Sequence, residues 1–291
     1  MAASMGPIMQ FGCDPSSTTA SEKYKFRNPA LSFNELLDNQ EGIRGTREET
    51  SERTVQNTRA PRYSLRLFPN AVELDTWLTR IMWGAESVDV WNFSDTQPAG
   101  FVSVFDLVTA RWYLTGCQVD KATFSWEQGG PLALDLEVEA LDFSTDATVF
   151  PTLSFSLVPH YIASENVLVH NAATLKFRSG RIMIDNLLKK DRFLNSQTRI
   201  SLPSMGRKTL WEVSGPYGDN SALFGLAATG VACTQTFTKS GRSTLFSAGA
   251  VHFPREFPQP QERDEIMLPL VGECRKVSTT GSLIVTNDSA P

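Results

Sequence analysis

The chain is poor in the residues from which reactive sites are built. It has 4 cysteines, Cys13, Cys117, Cys233 and Cys274, with no CxxC pair, and 3 histidines, His160, His170 and His252, none close to another. That scatter argues against a zinc ribbon, a dithiol redox motif, a metal cage or a nucleophile triad. Free thiols are expected, as in a reducing cytoplasm. The patterns GxGxxG, GxSxG, HExxH and GxxxxGK[ST] are missing, and "GRKT" at 206–209 lacks the upstream glycine of a phosphate loop. No cofactor and no metal are expected. Basic charge is also scarce. With 27 Lys and Arg against 32 Asp and Glu, the net charge is −5 with signs mixed along the chain, so no basic stripe advertises binding to a phosphate backbone. The N-terminal stretch shows neither the basic region nor the apolar run of a secretory signal. The uncharged run at 220–238 carries Asn, Gln, Gly, Ser and Thr, which disfavour a bilayer span. No membrane association is expected.

What is present is globular. A hydrophobic content of 41% can build a core, and 291 residues suit one large domain or two of ordinary size. The most regular stretch is "LALDLEVEAL" at 132–141, with Leu132, Leu134, Leu136 and Val138 on one parity and Asp135, Glu137 and Glu139 on the other. Successive strand residues face opposite sides, so the pattern predicts a half-buried strand with carboxylates spaced about 7 Å apart on its polar face. Two carboxyls at that distance suit glycoside hydrolysis and three suit a divalent cation. A solvated or channel-facing row is the commoner meaning, because no interleaved group drives the carboxyl pKa values apart.

Neighbouring segments extend the reading. "CQVDKATFSW" forms a hairpin with the acidic strand through "EQGGP" at 127–131, and its parity changes between Val119 and Ala122, which predicts a bulge near Asp120 and Lys121. Upstream, Tyr63, Leu65 and Leu67 alternate as a strand that Pro69 stops. Asn70 and Glu73 then make a capping box, Ala71, Leu74, Leu78 and Ile81 share a helical face, and Gly84 suits the position just past the helix. Residues 1–29 and 41–62 hold too few apolar anchors to offset their ordering entropy, and read as an arm and a long loop.

The same order recurs. In "RKTLWEVSGPYGDNSALFGLAATG" at 207–230 a strand and a Gly-Pro stop precede a helical face of Leu223, Leu226 and Ala227 and a closing Gly230. At one constant spacing Arg53 aligns with Arg199, Leu65 with Trp211, Leu67 with Val213, Leu78 with Phe224 and Gly84 with Gly230, and further on Gly116 aligns with Gly249. A second charged stretch, 183–208, takes the place of 42–62. Such ordered agreement points to an internal duplication.

The segments "GIRGTR" (42–47), "FPNAVELDTWLTRIMWG" (68–84), "LTGCQVDKATFSWEQGGPLALDLEVEAL" (114–141), "IMIDNLL" (182–188), "NSQTRISLP" (195–203) and "GSLIVTND" (281–288) come in an order that resembles the tail tube proteins of tailed bacteriophages, of the kind with two tandem tube domains. The resemblance implies a mainly β fold of two tail-tube-type β-sandwich or partial-barrel domains, each with one flanking α-helix and a long polar loop. The division would be an arm at 1–29 and tube domains at 30–157 and 158–291. It further implies a non-enzymatic virion protein, assembled in the host bacterial cytoplasm, whose trimeric pseudo-hexameric rings stack into a conduit for DNA ejection. Partners would be other copies of the chain, a tape-measure protein, tail terminator and baseplate proteins, and double-stranded DNA passing without specific binding.

On that resemblance the loops at 41–62 and 188–208 would order only on assembly, placing Arg44, Arg47, Glu48, Glu49, Arg53, Lys189, Lys190, Asp191 and Arg192 in contacts between rings. Asp135, Glu137 and Glu139 would line the lumen and repel phosphates, or else face the outer wall. Two alternatives remain: a related baseplate, tail-terminator or injection-system ring component, and a carbohydrate-active β-sandwich enzyme using the acidic row.

Overall fold

In a computed structural model of the chain, the described residues are 9–16, 20–33, 36–39, 54–107, 110–146, 153–170, 173–194, 196–216, 230–254, 266–277 and 281–290. Period-two alternation dominates these segments, and strands follow from it. The first half contributes β1 (Gln10–Asp14), β2 (Glu22–Tyr24), β3 (Phe26–Ser32), β4 (Leu36–Asn39), β5 (Thr54–Thr58), β6 (Arg62–Leu67), helix α1 (Ala71–Met82), β7 (Val90–Asn92), β8 (Phe101–Asp106), β9 (Arg111–Glu127), β10 (Ala133–Glu139) and β11 (Asp142–Asp146). The second contributes β12 (Asn166–His170), β13 (Ala173–Leu175), β14 (Ser179–Asp185), β15 (Lys208–Pro216), β16 (Val231–Lys239), β17 (Arg242–His252), β18 (Met267–Arg275) and β19 (Ile284–Asp288). All strands except the β4–β5 hairpin belong to one continuous hydrogen-bonded sheet, so the fold is mainly β.

Pairing in the second half repeats that in the first. The pairs β1–β2 and β1–β8 recur as β12–β13 and β12–β16. The run β3–β6–β10–β9 recurs as β14–β15–β18–β17. Likewise β8 and β11 flank the start of β9 as β16 and β19 flank the start of β17. Even a bulge recurs, between Phe101 and Ser103 in one hairpin and between Val231 and Cys233 in the other. Register therefore matches Leu114 with Ala248 and Cys117 with Val251, which puts Ala250 rather than Gly249 opposite Gly116 in the alignment of the halves.

The 17-residue strand β9 turns between the two layers of the first half at Gly116, whose φ of 62° is left-handed. Its N-terminal part pairs with β8 and β11, and its C-terminal part pairs with β10 on one edge and β14 on the other. The layers meet over an aromatic core in which the Phe11 ring lies 4.9 Å from Phe105, 5.8 Å from Tyr63 and 6.5 Å from Trp77 of α1. That core runs on without a break into the second half, where Phe124 of β9 packs on Phe246 of β17 at 4.9 Å.

Two expectations are corrected here. Residues 1–29 are not an arm throughout: from Gln10 onward they supply β1, β2 and most of β3, and Phe11 and Cys13 are fully buried. Few apolar residues suffice because each lies on an inward parity. The excursion at 188–208, expected to be ordered by other copies, has its described residues packed against their own chain, with Leu188, Arg199 and Leu202 buried.

Helix α1 forms as its spacing predicts, with Asn70 Oδ1 accepting from the Glu73 N–H at 3.0 Å and the Asn70 N–H donating to Glu73 Oε2 at 3.3 Å. Ala71, Leu74, Leu78 and Ile81 are buried, joined by Trp77. The left-handed residue that ends it is Trp83, φ 62°, one position before Gly84. Gly84 is required for a different reason, because a Cβ there would lie 2.0 Å from the carbonyl oxygen of Asn92. Asn287 of β19, fully buried, donates to the Ala71 carbonyl and to Asp75, tying the helix to the second half. The companion helix expected around Leu223, Leu226 and Ala227 lies outside the described residues.

All four cysteines are buried free thiols, and burial pushes Cys13, Cys117 and Cys274 up to about 12, which leaves them unreactive. His170 is 2% exposed, stands 5.2 Å from the Phe253 ring, and finds no hydrogen-bond partner for either ring nitrogen among the described residues. Burial pushes its pKa down from 6.5 to about 4. The unfolded chain therefore binds this proton more readily, and stability falls as pH drops from 6.5 toward 4. The expected loss by pH 4.5 is about 2 to 3 kcal/mol. Urea unfolding at pH 7 and pH 4.5 should show this extra acid sensitivity in the wild type and lack it in His170→Phe.

Candidate functional site: a charge-paired sheet face

Alternation along β6, β10, β9, β14 and β15 sends Leu65, Leu136, Phe124, Ile182 and Trp211 into the core and leaves a polar face on the other side. This face carries the acidic strand. Asp135 stands directly opposite Arg66 in the β10–β6 register, and the guanidinium grips it as a fork, Nε to Oδ1 at 2.6 Å and Nη2 to Oδ2 at 2.7 Å. Glu137 stands opposite Lys121 of β9, with their charged atoms 3.9 Å apart. Across the seam between the halves the pattern continues: Arg181 Nε donates to Glu212 at 2.5 Å, and Asp185 stands between Lys121 and Lys208 in register.

Asp135, Glu137, Asp185 and Glu212 thus each have a cation on an adjoining strand. Exposed pairs of this kind contribute only about 0 to 1 kcal/mol each. Their larger effect is on the field, because opposite charges this close cancel within a Debye length, about 8 Å at physiological salt. A cleft of about 440 Å³ over the seam is walled by Arg66, Trp126, Arg181 and Glu212, with both arginines held by the carboxylates described.

Glu139 departs from the expected row. Its parity is that of Asp135 and Glu137, yet it is 4% exposed, because the excursion at 186–207 lies over it. Arg199 Nη1 donates to Glu139 Oε2 at 2.8 Å and to the Ala140 carbonyl at 3.1 Å, and Lys190 Nζ reaches Glu139 Oε1 at 3.1 Å and Asp120 Oδ2 at 2.6 Å. Asp120 occupies the predicted bulge: Glu137 faces Lys121 while Val138 faces Val119, so Asp120 is squeezed out of the ladder. Its freed groups accept from the Asn186 and Leu188 N–H groups at 2.7 and 3.1 Å. Burial disfavours the charge of Lys190, but its hydrogen bonds to Asp120 and Glu139 outweigh that and hold its pKa above the usual lysine value. Arg207, stacked between Trp83 and Phe93 at 4.8 and 4.3 Å, donates to Asn186 and closes the base of the excursion.

Of the residues expected to make contacts between rings, Lys190 is therefore engaged within its own chain. Lys189 and Asp191 are exposed, with charged atoms 4.0 Å apart, and Arg192 is half-buried. Arg44, Arg47, Glu48, Glu49 and Arg53 lie outside the described residues. Sequence reasoning missed Arg199 and Asn186. The parity break at Asp120 was the available signal, since a bulged acidic residue needs partners from elsewhere.

Buried Asp120, Glu139 and Arg199 form an ion cluster with the partly exposed Lys190, in which removing one buried member strands another. Glu139→Leu should cost about 3 kcal/mol, lower the melting temperature and strip hydrogen-exchange protection from residues 187–206. The double variant with Arg199→Met should recover most of that stability.

A family model described as phage tail tube protein matches residues 14–274. No curated protein matches the chain.

Proposed function

The chain belongs to the phage tail tube protein family, and from that premise we propose that it is the ring-forming subunit of a hollow tail, through which DNA passes into the host. It is a structural protein of the phage tail. Its two halves, divided at 157–158 with β1, β2 and β3 in the first, would act as two tube domains, so that three copies make a ring of six like units. The reading is carried by one observation: the same strand-pairing scheme occurs twice, side by side, in one sheet. Like units joined edge to edge are the repeating step of a closed ring, which leaves no strand edge open. Chemistry on small molecules has less support, since Asp135 and Glu212 are each held by an arginine and Glu137 stands beside Lys121.

In this reading the polar face lines the bore, with Asp135 and Glu137 as lining residues together with Arg66, Lys121, Arg181 and Glu212. The wall then acts by compensation rather than by repulsion. A cation free to meet phosphates releases counterions and binds DNA, whereas a cation already held by a carboxylate gains little by the exchange. Glu139 has no part in the wall and serves to anchor the excursion. Stacking of rings would use the two excursions, through Arg44, Arg47, Glu48, Glu49 and Arg53 in one and Lys189, Asp191 and Arg192 in the other. A tape-measure protein would fill the bore before DNA does, with terminator and baseplate proteins at the tube ends and assembly in the host cytoplasm. Among the described residues no helix is long and apolar enough to cross a membrane.

Electron microscopy of the purified protein at high concentration tests the reading. Rings or tubes with a central hole are expected, and a particle that stays monomeric and hydrolyses a glycoside would overturn it. The lining has its own test. Asp135→Asn with Glu137→Gln should leave assembly intact but free Arg66 and Lys121, so that variant tubes retain DNA at low salt and release it as salt rises, while wild-type tubes do not retain it.

A further inference from the structure

The two excursions occupy the same connection of the repeated scheme, one between β3 and β6, the other between β14 and β15. Their surroundings differ. The first contains the β4–β5 hairpin, a two-stranded sheet separate from the rest of the fold, and two strands alone are marginal in water. Its outgoing arm is fixed at Phe33, whose ring lies 4.6 Å from Trp112 and 4.4 Å from Phe143. Its returning arm has another fastening. Successive N–H groups of an extended chain point to opposite edges. The Ala60 N–H accordingly donates across the hairpin to the Phe33 carbonyl at 3.0 Å, and the Arg59 N–H donates at 2.7 Å to the Gln197 carbonyl on the other edge. Arg59 and Thr198 form a parallel bridge. The far part of the second excursion thus stands where a third strand would.

It gets there by crossing the first half. From the end of β14 it passes Asp120 of β9, held by the Leu188 N–H and Lys190, then Glu139 of β10, held by Arg199. Last comes Pro61, just before β6, whose carbonyl accepts from Arg199 Nη1 at 3.4 Å. Three strand intervals make about 14 Å. We propose that residues 196–200 serve as the third strand of the β4–β5 hairpin, so that the two excursions order and open as one unit. The ion cluster at Glu139 fixes the second excursion, and the second excursion fixes the root of the first. The Arg59 side chain is a poor substitute for that brace, with its guanidinium 5.8 Å from the Phe143 ring and 3.9 Å from Asp142. In the tube reading each copy would then offer one composite arm, three to a ring instead of six.

Coupling of the excursions can be tested without a ring, so its failure leaves the tube reading standing. Native-state hydrogen exchange of the dilute, unassembled full chain would be followed at the Arg59 and Ile200 amides as denaturant is raised. Ile200 donates to the Arg192 carbonyl at 3.0 Å and reports the second excursion alone. Both amides should show the same opening free energy and the same denaturant dependence, below those of the β9–β14 ladder. Unequal values, with one amide still protected after the other has opened, would overturn the proposal. Glu139→Leu, a change in β10 and in neither arm, should speed exchange at both positions by the same factor, about tenfold or more. Faster exchange at Ile200 with Arg59 unchanged would count equally against it. Should that variant fail to fold, the wild-type comparison decides.

Discussion

Strand β9 has a partner on each edge along both of its parts, and the architecture depends on that. Its hydrogen-bonding groups are taken up by β8 and β11 before the turn at Gly116, and by β10 and β14 after it. Because a buried backbone group without a partner is costly, a strand satisfied on both sides cannot shift without breaking two ladders. A slip of one residue would also exchange Ala122, Phe124 and Trp126 for Lys121, Thr123 and Ser125 in the core. The two halves are held in one sheet by this strand and by the β7–β19 ladder.

The bulge at Asp120 converts that constraint into a second one. It places a buried carboxylate at the end of the seam, where Lys190 and the Leu188 N–H of the excursion satisfy it. Buried ion pairs are weak sources of stability, because desolvation opposes the attraction, but a missing member is heavily penalised. The cluster with Glu139 and Arg199 therefore acts chiefly as a register mark that fixes where the excursion docks. That same docking takes Glu139 out of the polar face and leaves Asp135 and Glu137 as the open carboxylates of β10.

On the polar face itself, cross-strand pairing decides the character of the surface. A run of acidic residues in one strand suggests a strongly negative stripe, yet the adjoining strands bring Arg66, Lys121, Arg181 and Lys208 into alternation with the carboxylates. The result is a charged face on which opposite signs alternate at close range.

Much of this was legible in the amino-acid sequence, and the division has a physical cause. The alternation of β10, the capping box of α1, the bulge near Asp120 and the repetition of strand order all depend on neighbours within a few positions, where backbone geometry alone dictates which side chains share a face. The strands at Gln10–Asp14 and Glu22–Tyr24 were hidden because short segments with one or two inward anchors look like polar tail until a sheet receives them. Trp83 in place of Gly84 as the left-handed residue depended on packing of the indole against Leu188 and Leu202. By itself, the order of residues determined the parity of each strand and the duplication of the whole. Only the tertiary structure decided what each carboxylate faces, since the partner of Asp135 lies 69 positions away and that of Glu139 lies 60 positions away, and registers between distant strands are chosen by the core they close rather than by the charges they align.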